Sequence, residues 1–144
     1  MSYSDKDEMI ADINPVKEQA VQTARILIVE TRPEVSSMLA ELADKEFGES
    51  TSLQANSIEK VVESLAQYNF ELAIMGFSDS EKKPWRIEDE IKLCRPAIPI
   101  LAAKINNAAQ EFDSLRAGRI LAGIRYVKSL SKCGLRGFTV VVNG

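Results

Sequence analysis

Two hydrophobic rhythms alternate along this chain. Short, almost unbroken apolar runs have the length and composition of strands buried on both faces. Arg25 to Glu30 is the first of these, and Thr31-Arg32-Pro33 breaks it. Val35, Met38, Leu39, Leu42 and Ala43 then recur at three- and four-residue steps, which predicts a helix ending near Phe47-Gly48. Thr51 to Ala55 is a second, weaker strand. Ser57 can cap a helix carrying Ile58, Val61, Val62, Leu65 and Ala66, and Leu72 to Met75 is a third strand. After the polar loop from Ser78 to Lys83, Pro84 opens a helix through Arg95 with Ile87, Ile91 and Cys94 on one side. Ile98 to Ala103 is a fourth strand. Asn106 or Asn107 can cap a helix bearing Ala108, Ala109, Phe112 and Leu115 and ending by Gly118, and Ile124 to Val127 reads as a fifth strand.

Strand and helix alternating five times call for a parallel sheet covered on both faces by crossovers of one hand. The expected fold is therefore α/β, a flavodoxin-like doubly wound five-stranded parallel sheet with strand order 2-1-3-4-5. Residues 25–144 form one domain, and residues 1–24 read as an N-terminal extension in which Asn14-Pro15 can start a short helix. The end of the chain fits less well. Gly134 and Gly137 interrupt the place of a fifth helix, each costing about 1 kcal/mol against alanine in a helix interior. A short or distorted helix is expected there, followed by an extended tail over the strand-like Thr139-Val140-Val141-Val142. A truncation before a following domain would explain this ending too.

Composition narrows the chemistry mainly through an absence. The 144 residues include no histidine. That excludes Ser-His and Cys-His nucleophilic sites, histidine metal sites and the donor role in a phosphorelay. Cys94 and Cys133 lack metal-type spacing and read as small apolar fillers kept reduced. The first twelve residues carry four acids, unlike a signal peptide, and no apolar run approaches a membrane span, so a cytoplasmic protein is expected, with no membrane partner. All 21 acids lie at or before Asp113, whereas Arg116, Arg119, Arg125, Lys128, Lys132 and Arg136 follow without one. This basic end could form a face for an anionic partner, or fold back beside the acidic part of the same chain.

The strand ends carry a resemblance. Ile26-Leu27-Ile28-Val29-Glu30, Phe70-Glu71-Leu72-Ala73-Ile74-Met75, Ile98-Pro99-Ile100-Leu101 and Gly123-Ile124-Arg125-Tyr126-Val127-Lys128 are similar to the first, third, fourth and fifth strands of the receiver domain of bacterial two-component response regulators. The resemblance runs from Arg25 to about Leu130 and implies a set of functional positions. A receiver holds Mg²⁺ with two acids after the first strand and the phospho-accepting aspartate after the third. Here Glu30 keeps the first acid, Thr31 takes the place of the second, and Gly76 takes that of the aspartate. Lys104 falls where the family has a threonine or serine, Ser129 where it has a lysine, and Leu130 where it has a proline. Tyr126 matches the aromatic that turns inward or outward when the family switches. Lys128, one residue from the family's lysine, points the other way on a strand unless a bulge intervenes. Lys104 could pair with Glu30 or stand solvated.

The resemblance thus implies a pseudo-receiver, a degenerate receiver that has lost its phosphorylation site, with no catalytic residue, metal or cofactor. Its expected work is phosphorylation-independent signalling by protein–protein interaction, as in transcription regulation, through a protein partner or self-association on the face of the fourth helix, fifth strand and fifth helix. Two alternatives stand beside it. Arg116, Arg119, Arg125, Lys128, Lys132 and Arg136 could contact nucleic acid, although no helix-turn-helix signature accompanies them and direct binding is not expected. Gly76 could leave room for a ligand at the strand ends, although the segment after the first strand lacks the glycines that cradle a nucleotide. Trp85 reads either as an exposed partner anchor or as a ring packed on its loop.

Overall fold

The structure, a computed structural model, describes residues 24–48, 50–80, 85–106 and 114–143. The expected N-terminal helix, Pro84 and the helix positions Ala108, Ala109 and Phe112 lie outside the described residues. Among the described residues five strands and four helices alternate: β1 (Ala24–Val29), α1 (Pro33–Phe47), β2 (Ser50–Ala55), α2 (Ile58–Gln67), β3 (Leu72–Phe77), α3 (Trp85–Cys94), β4 (Ile100–Lys104), α4 (Ser114–Lys132) and β5 (Thr139–Asn143). All neighbouring strands are parallel in the order β2-β1-β3-β4-β5, which is the expected doubly wound topology.

Local chemistry sets most of the boundaries. Pro33 opens α1, where its missing N–H costs nothing, and Gly48 ends it with φ of 79°, a conformation open to glycine. Ser57 caps α2 as its side chain accepts from the Lys60 amide at 3.2 Å. Strand side chains then divide by alternation. Ile26, Ile28, Leu72, Ile74, Leu101 and Ala103 meet α1 and α4 on one face, while Leu27, Val29, Ala73, Met75, Ile100 and Ala102 meet α2 and α3 on the other.

Two expectations about the last third of the chain are corrected. Ile124 to Val127 is not a strand but part of the 19-residue α4. Ile120, Ile124 and Val127, spaced four and three apart, are all buried against the sheet, so the period of this segment is helical. Gly123 does not break the helix. It lets α4 approach the sheet so closely that a β-carbon there would stand 2.8 Å from Val142 Cγ1. The fifth strand is instead Thr139–Asn143, the segment expected to be a tail, paired with β4 from Ile100↔Thr139 to Lys104↔Asn143. Gly134 and Gly137, with φ of 93° and 65°, shape the turn between α4 and β5 rather than interrupting a fifth helix. Among the described residues no helix follows β5.

The path of α4 is the unusual part of the topology. β3-α3-β4 and β4-α4-β5 both step toward the same edge of the sheet, yet α3 covers one face and α4 the other. Judged by the helix each carries, the last crossover therefore has the opposite hand to the first three, against the strong preference for one hand. Its consequence is local. Among the described residues no helix covers β5 on the α3 face beyond the side of α3 itself, and Val141 there is 63% exposed.

Candidate functional site

The carboxyl ends of β1, β3 and β4 converge where chemistry gathers in such sheets. Register places Val29 beside Met75, and Gly76 beside Ala103, so Glu30 and Gly76 emerge next to each other. Glu30 is turned inward and buried, its side chain 1% exposed. Arg32, two residues on, meets both of its oxygens: Nε donates to Oε2 at 2.8 Å and Nη2 to Oε1 at 2.9 Å. The Arg32 amide donates to Oε2 at 2.9 Å as well, and Nη1 reaches across to the carbonyl of Ile105 at 2.7 Å. A charge-assisted fork of this kind satisfies a buried carboxylate that would otherwise be costly.

That carboxylate explains the missing side chain at Gly76. A β-carbon at this position would lie closer to Glu30 Oε1 than the 3.0 Å that real β-carbons keep, with Glu30 Cδ at 3.2 Å and Leu39 Cδ1 at 3.5 Å. The remaining cavity, between Val29, Glu30, Thr31, Asn56, Ser57, Gly76 and Ile87, holds only about 30 Å³. This is space for a water or two, whereas small-molecule sites run to about 300–1,000 Å³.

Lys104 does not pair with Glu30. It closes β4 and its Nζ lies 2.8 Å from Asp79 Oδ1, on the loop after β3. Asn106 completes the tie: its Nδ2 donates to Asp79 Oδ2 at 2.9 Å, and its Oδ1 accepts from the Asp79 amide at 2.8 Å. The hydrogen bonds from Lys104 and Asn106 hold the Asp79 carboxyl below its ordinary value. Both loops are thus tied to the end of β4, one by Arg32 at Ile105 and one by Asp79 at Asn106.

The other expected site residues fall elsewhere. Thr31 is exposed beside the pocket. Tyr126, Lys128 and Ser129 lie on α4, so none of them stands at the end of the fifth strand. That strand closes on Asn143, with Val140 three residues before it, so neither a lysine nor an aromatic occupies those places. Nor do the six basic residues form one face. Arg125 Nε and Lys128 Nζ turn toward α1, to Glu46 at 2.7 and 3.3 Å, while Arg119 lies on the opposite flank beside Val142 and Asn143. Burial pushes the Glu46 carboxyl up, but the bonds from Arg125 and Lys128 outweigh it and hold it below its ordinary value. Arg116 donates to the carbonyl of Asn106 at 3.3 Å. Trp85 is 61% exposed at the start of α3, and Cys133 is exposed rather than a core filler.

Arg32 is the site residue that sequence reasoning missed. The available signal was Glu30-x-Arg32: an acid facing the core needs a counter-charge, and the first basic side chain after it is in reach. Magnesium does not fit these residues. Of the three positions that the resemblance to a receiver assigns to it, only Glu30 carries a carboxylate, and both its oxygens accept from Arg32. Among the described residues no group of three or more acids, histidines or cysteines is placed to hold a metal ion, and no helix is long and apolar enough to cross a membrane.

No family model matches the chain, and no curated protein matches it in sequence. Solved structures do match. The receiver domain of NtrC4 from Aquifex aeolicus shares 14% identity with it, covering 74% of this chain and 98% of its own, at a TM-score of 0.50. An adenylate cyclase from Rhodopirellula baltica is 11% identical over 83% of this chain and 76% of its own, at 0.49. The pilus assembly protein CpaE from Caulobacter crescentus is 15% identical over 81% and 80%, at 0.44. At such identities the likeness is one of fold, and that fold is the receiver-like, flavodoxin-like parallel sheet.

Proposed function

We propose that this chain is a pseudo-receiver: a receiver-like module without phosphoryl chemistry that acts by binding other proteins. One observation carries the reading. The space of the acceptor side chain at Gly76 is filled by the Glu30 carboxylate, which Arg32 clamps from the same loop. Phosphoryl transfer to a receiver needs a free carboxylate and a divalent cation to neutralise the moving charge. Glu30, Thr31, Gly76 and Lys104 are the degenerate remnants of that site. Gly76 offers no nucleophile, and the guanidinium of Arg32 provides the positive charge next to Glu30. Asp79 is no replacement acceptor, since its two oxygens are bonded to Lys104 and Asn106 on a surface loop. The module is non-catalytic, and its ties between the strand-end loops favour one standing conformation. Regulation then comes from what binds its surface.

The test is a ¹H–¹⁵N spectrum taken with and without Mg²⁺ and beryllofluoride, the mimic of a phosphorylated aspartate. The expected result is no change at Glu30, Gly76, Lys104 and their neighbours. Specific shifts there, or an alkali-labile phosphoryl adduct after incubation with acetyl phosphate, would sink the proposal.

A further inference from the structure

We infer that the outer edge of β5 is a self-association site, at which two copies pair their β5 strands antiparallel to make one ten-stranded sheet. The inference deepens the reading of this chain as an interaction module and rests on it. Its first support is the edge itself. Among the described residues β5 is the outermost strand on its side. Native edges are usually blunted by charges, proline or a bulge, but Thr139-Val140-Val141-Val142-Asn143 has no charge and no proline and pairs with β4 in unbroken register. The Ile100 amide donates to the Phe138 carbonyl, which assigns the amides of Val140 and Val142 to β4 and leaves those of Thr139, Val141 and Asn143 pointing outward.

The second support is the flank above that edge. Leu115, Arg119, Ala122 and Tyr126 recur at four, three and four residues, so they share the side of α4 that overhangs β5. Arg119 and Ala122 line an open groove with Val142 and Asn143, and Leu115 and Tyr126 are exposed large side chains. Antiparallel pairing about a two-fold axis perpendicular to the sheet sets α4 beside its copy. Val142 packs on Gly123, so an axis beside Val141 and Val142 passes close to the midpoint between Ala122 and Gly123. Arg119 and Tyr126 stand equally far on either side of that midpoint. The symmetry therefore opposes each guanidinium to a tyrosine ring of the other copy, a cation–π pair, rather than to a like charge. The small side chain of Ala122 at the crossing leaves room for the helices to approach.

Sedimentation equilibrium of the full chain tests this, with concentrations up to about 100 μM. A concentration-dependent dimer is expected. Val141→Pro removes an outward amide while sparing the β4 ladder and should leave a folded monomer. Arg119→Glu, on an exposed helix flank that does not threaten folding, should weaken the dimer at least about tenfold, and adding Tyr126→Arg should recover most of that loss. A wild-type monomer throughout the range overturns the inference and leaves the edge to a strand from another protein. So does a dimer whose affinity is indifferent to Arg119→Glu, or one that survives a folded Val141→Pro. None of these outcomes touches the phosphoryl reading, which the beryllofluoride spectrum decides separately.

Discussion

The carboxylate of Glu30 stands where a side chain on Gly76 would begin, on the neighbouring strand. One residue's lack of a β-carbon and another's buried charge are therefore a single feature. Gly76→Ala should destabilise the fold by about 1–3 kcal/mol through overpacking, and Gly76→Asp by more, because it sets a second carboxylate against the first. Neither should gain phosphorylation. In urea unfolding, Glu30→Ala combined with Gly76→Asp should cost less than the sum of the two single changes. Strict additivity would mean that the two positions do not share one space.

Arg32 is the counter-charge that makes a buried Glu30 tolerable. Removing it as Arg32→Ala should cost about 3–5 kcal/mol, the usual consequence of leaving one half of a buried ion pair. Arg32→Lys should recover only part, since a single ammonium cannot serve both Glu30 oxygens and the Ile105 carbonyl in the same geometry. Chemical denaturation measures both, and a neutral Arg32→Ala would contradict the burial of the pair.

Two glycines in α4 should respond oppositely to the same change. Gly118 has nothing within 4 Å of an added β-carbon, so Gly118→Ala should stabilise by up to about 1 kcal/mol through helix propensity. At Gly123 the new methyl would meet Val142 Cγ1 at 2.8 Å and Leu101 Cδ1 at 3.1 Å, and overpacking of about 1–3 kcal/mol should outweigh that gain. Thermal melts of the two variants, compared side by side, check this. If both were stabilised, the close seating of α4 on β5 would be wrong.

Acid should weaken the fold in a predictable window. At Glu88 burial pushes the carboxyl up, but the bonds from Thr139 and Lys92 prevail, so Glu46, Asp79 and Glu88 are all held below their ordinary values of 4.5, 3.8 and 4.5. The unfolded chain then binds more protons than the folded one just below those values. The stabilisation is complete above about pH 5 and is lost as pH falls through the depressed folded values. Glu88, shielded between α3 and β5, should matter more than Asp79, so Glu88→Gln should flatten the acid limb more than Asp79→Asn, whose exposed pair is screened by solvent. With no histidine to titrate, unfolding midpoints should stay level from about pH 5.5 to 8.

The sequence by itself determined the first four strands, the first three helices and their doubly wound order, because each lies in a long window with one clear period or a run too apolar to face water. It also determined that position 76 carries no side chain, since that is a matter of identity rather than of place. Only the tertiary structure decided the last third of the chain. Ile124 to Val127 is four residues long, too short for period two to be told from period 3.6, and its burial with Ile120 against the sheet makes it helix. Thr139 to Val142 became the fifth strand because β4 offered it an unfilled edge. The partner of Glu30 was likewise decided in three dimensions: Lys104 was as near in charge logic as Arg32, but it turns to Asp79, while Arg32 reaches both oxygens of Glu30. Spacing along a chain states which groups are available, and only packing states which of them meet.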